Sequence, residues 1–263
     1  MMRTATKHVS APSAPLLDAH ALAESYARVQ DRMVVAAQRA GRTPDDITLV
    51  AISKALPLAN VKALYYLGHR HFGENRAAEG HDKMRAARET FAPYEDPIVW
   101  HMIGHIQSRK AKSVVTGFDH IHSLDSVRLA QRLSRFAVEQ DKNVPLLLEC
   151  NVSGDASKHG FATDQCGDGT DQWEALNEEI ALITELPNVE IRGLMTMAPI
   201  VPKPEVARQY FRALRNLRDR LSTHFPSTRW EQLSMGMTDD FEVAVEEGAT
   251  MLRVGRAIFG EHC

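Results

Sequence analysis

Eight short runs of β-branched and apolar residues, each followed by a longer stretch with apolar positions at helical spacing, constrain the fold of this chain more than any other feature. The runs are "ITLVAIS" from 47, "RHFGEN" from 70, "IVWHMIG" from 98, "DHIHSLD" from 119, "VPLLLECN" from 144, "VEIRGLMTM" from 189, "RWEQLSMG" from 229 and "TMLRVGRAIFG" from 250. Between them lie helical readings such as "LANVKALYYLG", "SVRLAQRLSRFAVEQ", "QWEALNEEIALITEL" and "EVARQYFRALRNLRDRL". Ahead of the first run, Leu22, Tyr26, Val29, Met33 and Val34 recur at three- or four-residue spacing and Gly41 supplies a stop, which predicts a leading helix between Leu16 and Ala40. Strict alternation implies a parallel sheet, and eight units imply closure into a (β/α)8 TIM barrel. An open doubly wound sheet is the competing architecture, because a sequence does not show whether the first strand pairs with the last. A length of 263 residues suits one such domain, expected over residues 16–263 behind a disordered tail at 1–15.

Composition excludes several function classes. A formal net charge of -3 gives no basic excess for nucleic-acid binding. Cys150, Cys166 and Cys263 are too few and too irregularly spaced for a disulfide framework, which fits a reducing cytoplasm. Apolar runs such as "VPLLLEC" stop far short of the roughly 20 residues of a membrane-spanning helix. The opening "MMRTATKHVSAPSAP" lacks the apolar stretch of a signal peptide and reads as a tail.

A barrel of this kind gathers its site at the carboxyl ends of its strands. Those ends carry Lys54, Asn75, His101 with Gly104 and His105, Asn151, Met195 to Met197, and Ser234 to Met237. Lys54 closes the buried run "TLVAIS", where charge is costly. It is either a solvated cap or, facing the mouth, an amine whose pKa desolvation lowers, able to form a Schiff base with an aldehyde. An aldehyde cofactor bearing a phosphate needs an anion site elsewhere on the rim. Ser234 and Gly236 lie in a tight strand-to-helix turn and Gly255 follows the last strand, where small residues let backbone N–H groups approach an anion. Each glycine alone is weak support, since turns use glycine for conformational reasons. Arg253, inside the last strand, either lies outward along a helix or faces the ring nitrogen of a pyridoxal cofactor.

Two histidine pairs, "HRH" at 69–71 and "HMIGH" at 101–105, come without a carboxylate at a recognised ligand spacing, so no metal site is expected. Hydrolase elbows, P-loops and dinucleotide turns are absent from the sequence. The basic helix "RQYFRALRNLRDRL" reads as a solvated barrel face.

Assembled, the stretches "LVAISKALP", "FGENRAAEG", "WHMIGHIQSRK", "IHSLDSVRLAQRL", "NVSGDASKHGF", "RGLMTMAP" and "LSMGMTDDFEVAVEEGATMLRVGRAIFG" closely resemble the pyridoxal phosphate homeostasis proteins, also called proline synthase co-transcribed homologues. The resemblance implies an alanine-racemase-like barrel carrying pyridoxal 5′-phosphate (PLP) on Lys54. It further implies Asn75 beside the cofactor ring, Met195 packed close to it, and Arg253 facing the pyridine nitrogen. Ser234, Gly236, Met237 and Gly255 would hold the phosphate, largely through backbone N–H and hydroxyl groups. "SKHGF" at 157–161 matches a family loop near the opening, while His101, Gly104 and His105 belong to a mouth motif of unassigned role. Departures are a loop elaboration, "QCGDGTDQ" at 165–172, the amino-terminal tail, and Thr238 where relatives often have serine.

The implied role is a PLP carrier or buffer in intracellular PLP homeostasis, supplying PLP-dependent apoenzymes and affecting amino-acid and keto-acid pools indirectly, with no catalytic residues. Related racemases add a β-rich second domain with an acid/base tyrosine, whereas this chain ends at Cys263 just after the last barrel strand. A guanidinium at Arg253 keeps its proton and leaves the pyridine nitrogen unprotonated, a poor electron sink. The alternative is a PLP-dependent amino-acid racemase of low activity with Lys54 as one base, and a third class is a cofactor-free interaction protein. A monomer is expected, with a dimer as the other state.

Overall fold

The structure is a computed structural model that describes residues 17–94 and 96–261. The expected tail at 1–15 and Cys263 lie outside the described residues. The leading helix is α1 (Ala19–Arg39), whose first turn is capped by the Asp18 carboxylate accepting the Ala21 N–H. It buries Leu22, Tyr26, Val29 and Met33 as expected, but Ala36 and Ala37 complete the stripe and Val34 is half-buried.

The alternating units follow in order: β1 (Thr48–Ile52), α2 (Leu58–Tyr66), β2 (His71–Glu74), α3 (Ala77–Phe91), β3 (Val99–Met102), α4 (Ala111–Gly117), β4 (His120–Leu124) and α5 (Val127–Glu139). Then come β5 (Val144–Asn151), β6 (Phe161–Ala162), α6 (Asp171–Thr184), β7 (Val189–Met195), α7 (Arg208–His224), β8 (Gln232–Ser234), α8 (Phe241–Glu246), β9 (Met251–Val254) and α9 (Arg256–Phe259). Parallel pairing runs β4-β3-β2-β1-β9-β8-β7-β5, and β4 pairs β5, so eight strands close on themselves. That closure decides against the open sheet. The two-residue β6, which begins on the last residue of the "SKHGF" stretch, pairs with β5.

Strand alternation sorts side chains between two layers. Leu49, Ala51, Phe72, Trp100, Ile121, Leu146, Leu194, Leu233 and Leu252 join the helices in one outer core, while Leu147, Met195 and Met251 form a separate inner cluster. Several strands are shorter than the apolar runs that contain them. "TMLRVGRAIFG" stops pairing at Val254 and turns into α9, and "RWEQLSMG" pairs only over Gln232–Ser234. Gly193, at φ 152°, lets β7 press on β8: a Cβ there would sit 1.8 Å from the Gln232 carbonyl oxygen.

The helix boundaries have local causes. Pro57 stands at the N-cap of α2, and Thr170 Oγ1, after the turns of the 165–172 elaboration, accepts the Trp173 N–H to cap α6. The basic helix α7 is not merely solvated. Its Arg208, Arg212 and Arg215 converge on Glu247, just beyond α8, at 3.1, 2.8 and 3.0 Å, and Arg208 also reaches Glu246 at 2.6 Å. Among the described residues no helix is long and apolar enough to cross a membrane.

Candidate functional site

The carboxyl ends of the strands bring the sequence-predicted residues to one mouth. Lys54 follows β1 in a turn whose next residue, Ala55, has φ 60°, and its side chain is half-buried rather than sealed. Alternation places it with Val50 and Ile52, which face the lumen against Gly73. Among the described residues no hydrogen bond or ion pair engages its amine. The strand end beneath it is held from outside the lumen: buried Ser53 donates its hydroxyl to Glu74 Oε1 at 2.8 Å. Lys83 Nζ donates to the same carboxylate and to the Ser53 carbonyl, both at 2.6 Å. Lys83 is thus spent on structure.

Arg253 is in register with Val50 of β1, so it lies in the lumen two inward positions below Lys54. It is buried, with Nη1 donating to Ser234 Oγ at 2.6 Å and Nη2 to the Thr196 carbonyl at 2.8 Å. The outward reading of this arginine is therefore set aside. Burial lowers its pKa to about 10, against the opposing pull of Asp240 and Glu149, so the guanidinium stays charged at neutral pH.

Ser234 Oγ also meets His122 Nδ1 at 2.8 Å. From there a ladder of imidazoles crosses the lumen: His122 Nε2 lies 2.9 Å from His101 Nδ1, and His101 Nε2 lies 3.0 Å from His71 Nδ1. Burial first, then neighbouring positive groups, pushes the pKa of His101 and of His122 well down, which keeps both rings neutral. His101 thus acquires a place, a rung of the ladder. Ser234 is grouped with the guanidinium rather than with the glycine turn.

That turn follows β8. Gly236 has φ 91°, and a Cβ there would fall 2.6 Å from the Ala244 Cβ and 3.0 Å from the Phe241 Cα. Glycine is required on both counts. The turn abuts the one after β9, since the Arg253 N–H donates to the Gly236 carbonyl at 3.0 Å and the Ala257 N–H to Thr238 Oγ1 at 3.3 Å. The departure at Thr238 keeps the hydroxyl that makes this contact. The Met237 N–H donates to Asp240 Oδ1 at 2.7 Å, an internal partner that an anion would displace. Gly255 heads α9, its carbonyl accepting from Ile258 and Phe259.

The other predicted residues fall around these. Met195 is fully buried at the top of β7 in the inner cluster, and half-buried Asn75 follows β2. Gly104 is glycine because Asn75 lies on it: a Cβ would sit 2.3 Å from the Asn75 carbonyl oxygen. Asn75, Gly104 and His105 also line a cleft of about 390 Å³ that reaches outward between α3 and α4. His105 does not join the ladder. It pairs with Asp125 at 3.0 Å and stacks on His159, ring centroids 4.0 Å apart.

Sequence reasoning missed His71, His122, Thr196, Asp125 and His159. The sequence offers His71 only as a metal-ligand candidate paired with His69, and the usable signal is strand parity, which turns His71, His101 and His122 to the same side.

The donor set suits PLP in kind. An amine with no hydrogen-bond or ion-pair partner among the described residues stands at the mouth, a charged guanidinium lies deep in the lumen, and a glycine turn beside a helix start follows the neighbouring strands β8 and β9.

Comparison with known proteins agrees. The alanine racemase N-terminal domain family matches residues 25–263. The pyridoxal phosphate homeostasis protein of Aquifex aeolicus is 37% identical over 90% of this chain and 97% of its own length. That of Escherichia coli K12 is 37% identical over 91% of this chain and 96% of its own length. Among solved structures, PipY of Synechococcus elongatus PCC7942 with PLP bound is 33% identical with a TM-score of 0.73, covering 91% of this chain and all of PipY. With this fold, this mouth and relatives matched over nearly their whole length, the chain belongs to the pyridoxal phosphate homeostasis protein family.

Proposed function

We propose that the chain binds PLP at the barrel mouth and acts as a carrier and buffer of this cofactor rather than as an enzyme that turns over substrate. When bound, PLP supplies an aldehyde that condenses reversibly with an amine, a linkage firm enough to hold and labile enough to release. In this reading Lys54 provides the amine, Asn75 and Met195 border the ring, and the turns at Gly236–Met237 and Gly255 take the phosphate. The Met237 N–H, which donates to Asp240 Oδ1, would turn to such a phosphate.

Arg253 is the observation that carries the choice of carrier over enzyme. Pinned between Ser234 Oγ and the Thr196 carbonyl, the guanidinium stays charged and offers only donors, so it would leave a ring nitrogen that faced it without a proton. Reaction types that need that ring as an electron sink lose their main support. Delivery of PLP to PLP-dependent apoenzymes follows as the use of such a store.

Borohydride treatment of the PLP-loaded protein followed by peptide mass mapping is the test of the site. The adduct is expected on Lys54, and Lys54→Ala is expected to lose both the adduct and the visible absorption band. An adduct on another lysine with Lys54 unmodified overturns the assignment. Solvent-deuterium incorporation at Cα of amino acids tests the role: exchange slower than about 1 s⁻¹, together with reactivation of a PLP-depleted apoenzyme, supports a carrier. Faster exchange establishes the racemase reading instead.

A further inference from the structure

Three loops at the mouth, following β3, β4 and β5, bring His105, Asp125 and His159 together. One ligating atom from each lies within 4.8 Å of the others. His105 Nδ1 is 3.0 Å from Asp125 Oδ2, and the rings of His105 and His159 stack 14° from parallel. Ligand atoms around a tetrahedral zinc at about 2.1 Å stand roughly 3.4 Å apart, so small side-chain rotations close the set. Both imidazoles are exposed and free to make them, while Asp125 is half-buried and fixes the third position.

An independent observation lies directly beneath. Glu149, on β5, is 4% exposed, and its Oε2 is buried without a hydrogen-bond partner. It sits under the third loop, where a Cβ on Gly160 would touch the Glu149 carbonyl oxygen at 2.5 Å and Cγ at 3.1 Å. A buried carboxylate therefore lies against the loop that carries His159, close to the three side chains. Beside the three side chains opens a cleft of about 430 Å³, also lined by Lys158, with room for water or a ligand oxygen.

We propose that His105, Asp125 and His159 form a binding site for one divalent transition-metal ion. Two imidazoles and one carboxylate select a borderline ion such as Zn²⁺ over Mg²⁺ or Ca²⁺, which favour oxygen shells. Three protein ligands leave a fourth position to the cleft. Because the ligands come from separate loops, the ion ties the loop that carries Lys158 and His159 to the rest of the mouth. The site is independent of the reading of Lys54.

The test is titration of the chelator-treated, PLP-free full-length protein with Co²⁺, read by the ligand-field absorption of a four-coordinate ion, followed by displacement with Zn²⁺. One Co²⁺ per chain is expected, with His159→Ala and the His105→Ala/His159→Ala pair weakening binding at least about a hundredfold. His20→Ala, an exposed histidine of α1, is expected to leave it unchanged. Zn²⁺ is also expected to slow proteolytic cleavage between residues 152 and 160 in the native chain and not in the paired variant. Far-UV circular dichroism confirms that each variant is folded. Substoichiometric uptake, or uptake that the paired variant retains, overturns the site.

Discussion

Two basic side chains in the β1–β9 corner carry the chemistry proposed for the mouth: Lys54 has no hydrogen-bond or ion-pair partner among the described residues, and Arg253 has two. In the adjoining turn after β8, Gly236 is the residue where conformation and contact coincide, because its φ of 91° and the 2.6 Å approach of Ala244 both forbid a side chain. Gly236→Ala is therefore expected to cost roughly 2–4 kcal/mol, strain and overpacking together. PLP retention should fall at least about tenfold through displacement of the adjoining N–H groups. Chemical denaturation and equilibrium dialysis measure the two effects, and wild-type values in both would show that the turn tolerates a methyl group. At this scale Lys54, Gly236 and Arg253 were legible in the sequence, since each is chemically out of place in its segment. Asp125, Thr196 and His159 were not, because each stands unremarkably in its own segment and gains meaning only from partners that closure brings across the mouth.

Among the elements, the strands carry an unusual polar cargo. His71, His101 and His122 come from β2, β3 and β4, and His69, just before β2, meets Tyr26 of α1 at 3.1 Å. Burial lowers the pKa of His69 to about 4. Between that value and about 6.5 the unfolded chain binds a proton that the folded chain refuses. Its contribution, roughly 3 kcal/mol, is complete above about pH 6.5 and is lost as pH falls toward 4. His101 and His122, also pushed down, act in the same direction. Thermal midpoints recorded from pH 7 to pH 4 are expected to fall steeply, with uptake of more than one proton on unfolding, and His101→Gln should flatten the slope. Midpoints that stay level across this range would refute neutral buried imidazoles. The strand and helix periods were readable in advance, whereas the two-residue β6 was not, since so short a pairing has no periodicity to detect.

For the molecule as a whole, closure depends on the last units meeting the first. The cluster in which Arg208, Arg212 and Arg215 surround the 4% exposed side chain of Glu247 ties α7 to the end of α8, on which α1 also packs. Although burial opposes it, hydrogen bonding to these arginines holds the Glu247 carboxyl below its ordinary value, so the support is present above the carboxylate range and fades as pH drops through it. Glu247→Gln is expected to cost about 2 kcal/mol at pH 7, the partly exposed arginines limiting the loss, and to lower the thermal midpoint by about 4–8 °C. An unchanged midpoint would show the cluster to be decoration. The barrel itself could be read from the alternation of runs, but its lumen could not, because His122 and Ser234 are 112 positions apart and meet only across the closed cylinder. That meeting has a consequence for proton placement. Each contact in the chain from His71 to Ser234 needs one donor and one acceptor, and a neutral imidazole has a single N–H. The three rings therefore share one tautomeric sense, all pointing their hydrogens toward Ser234 or all away from it, so that reversing any one of them obliges the whole file to turn over together.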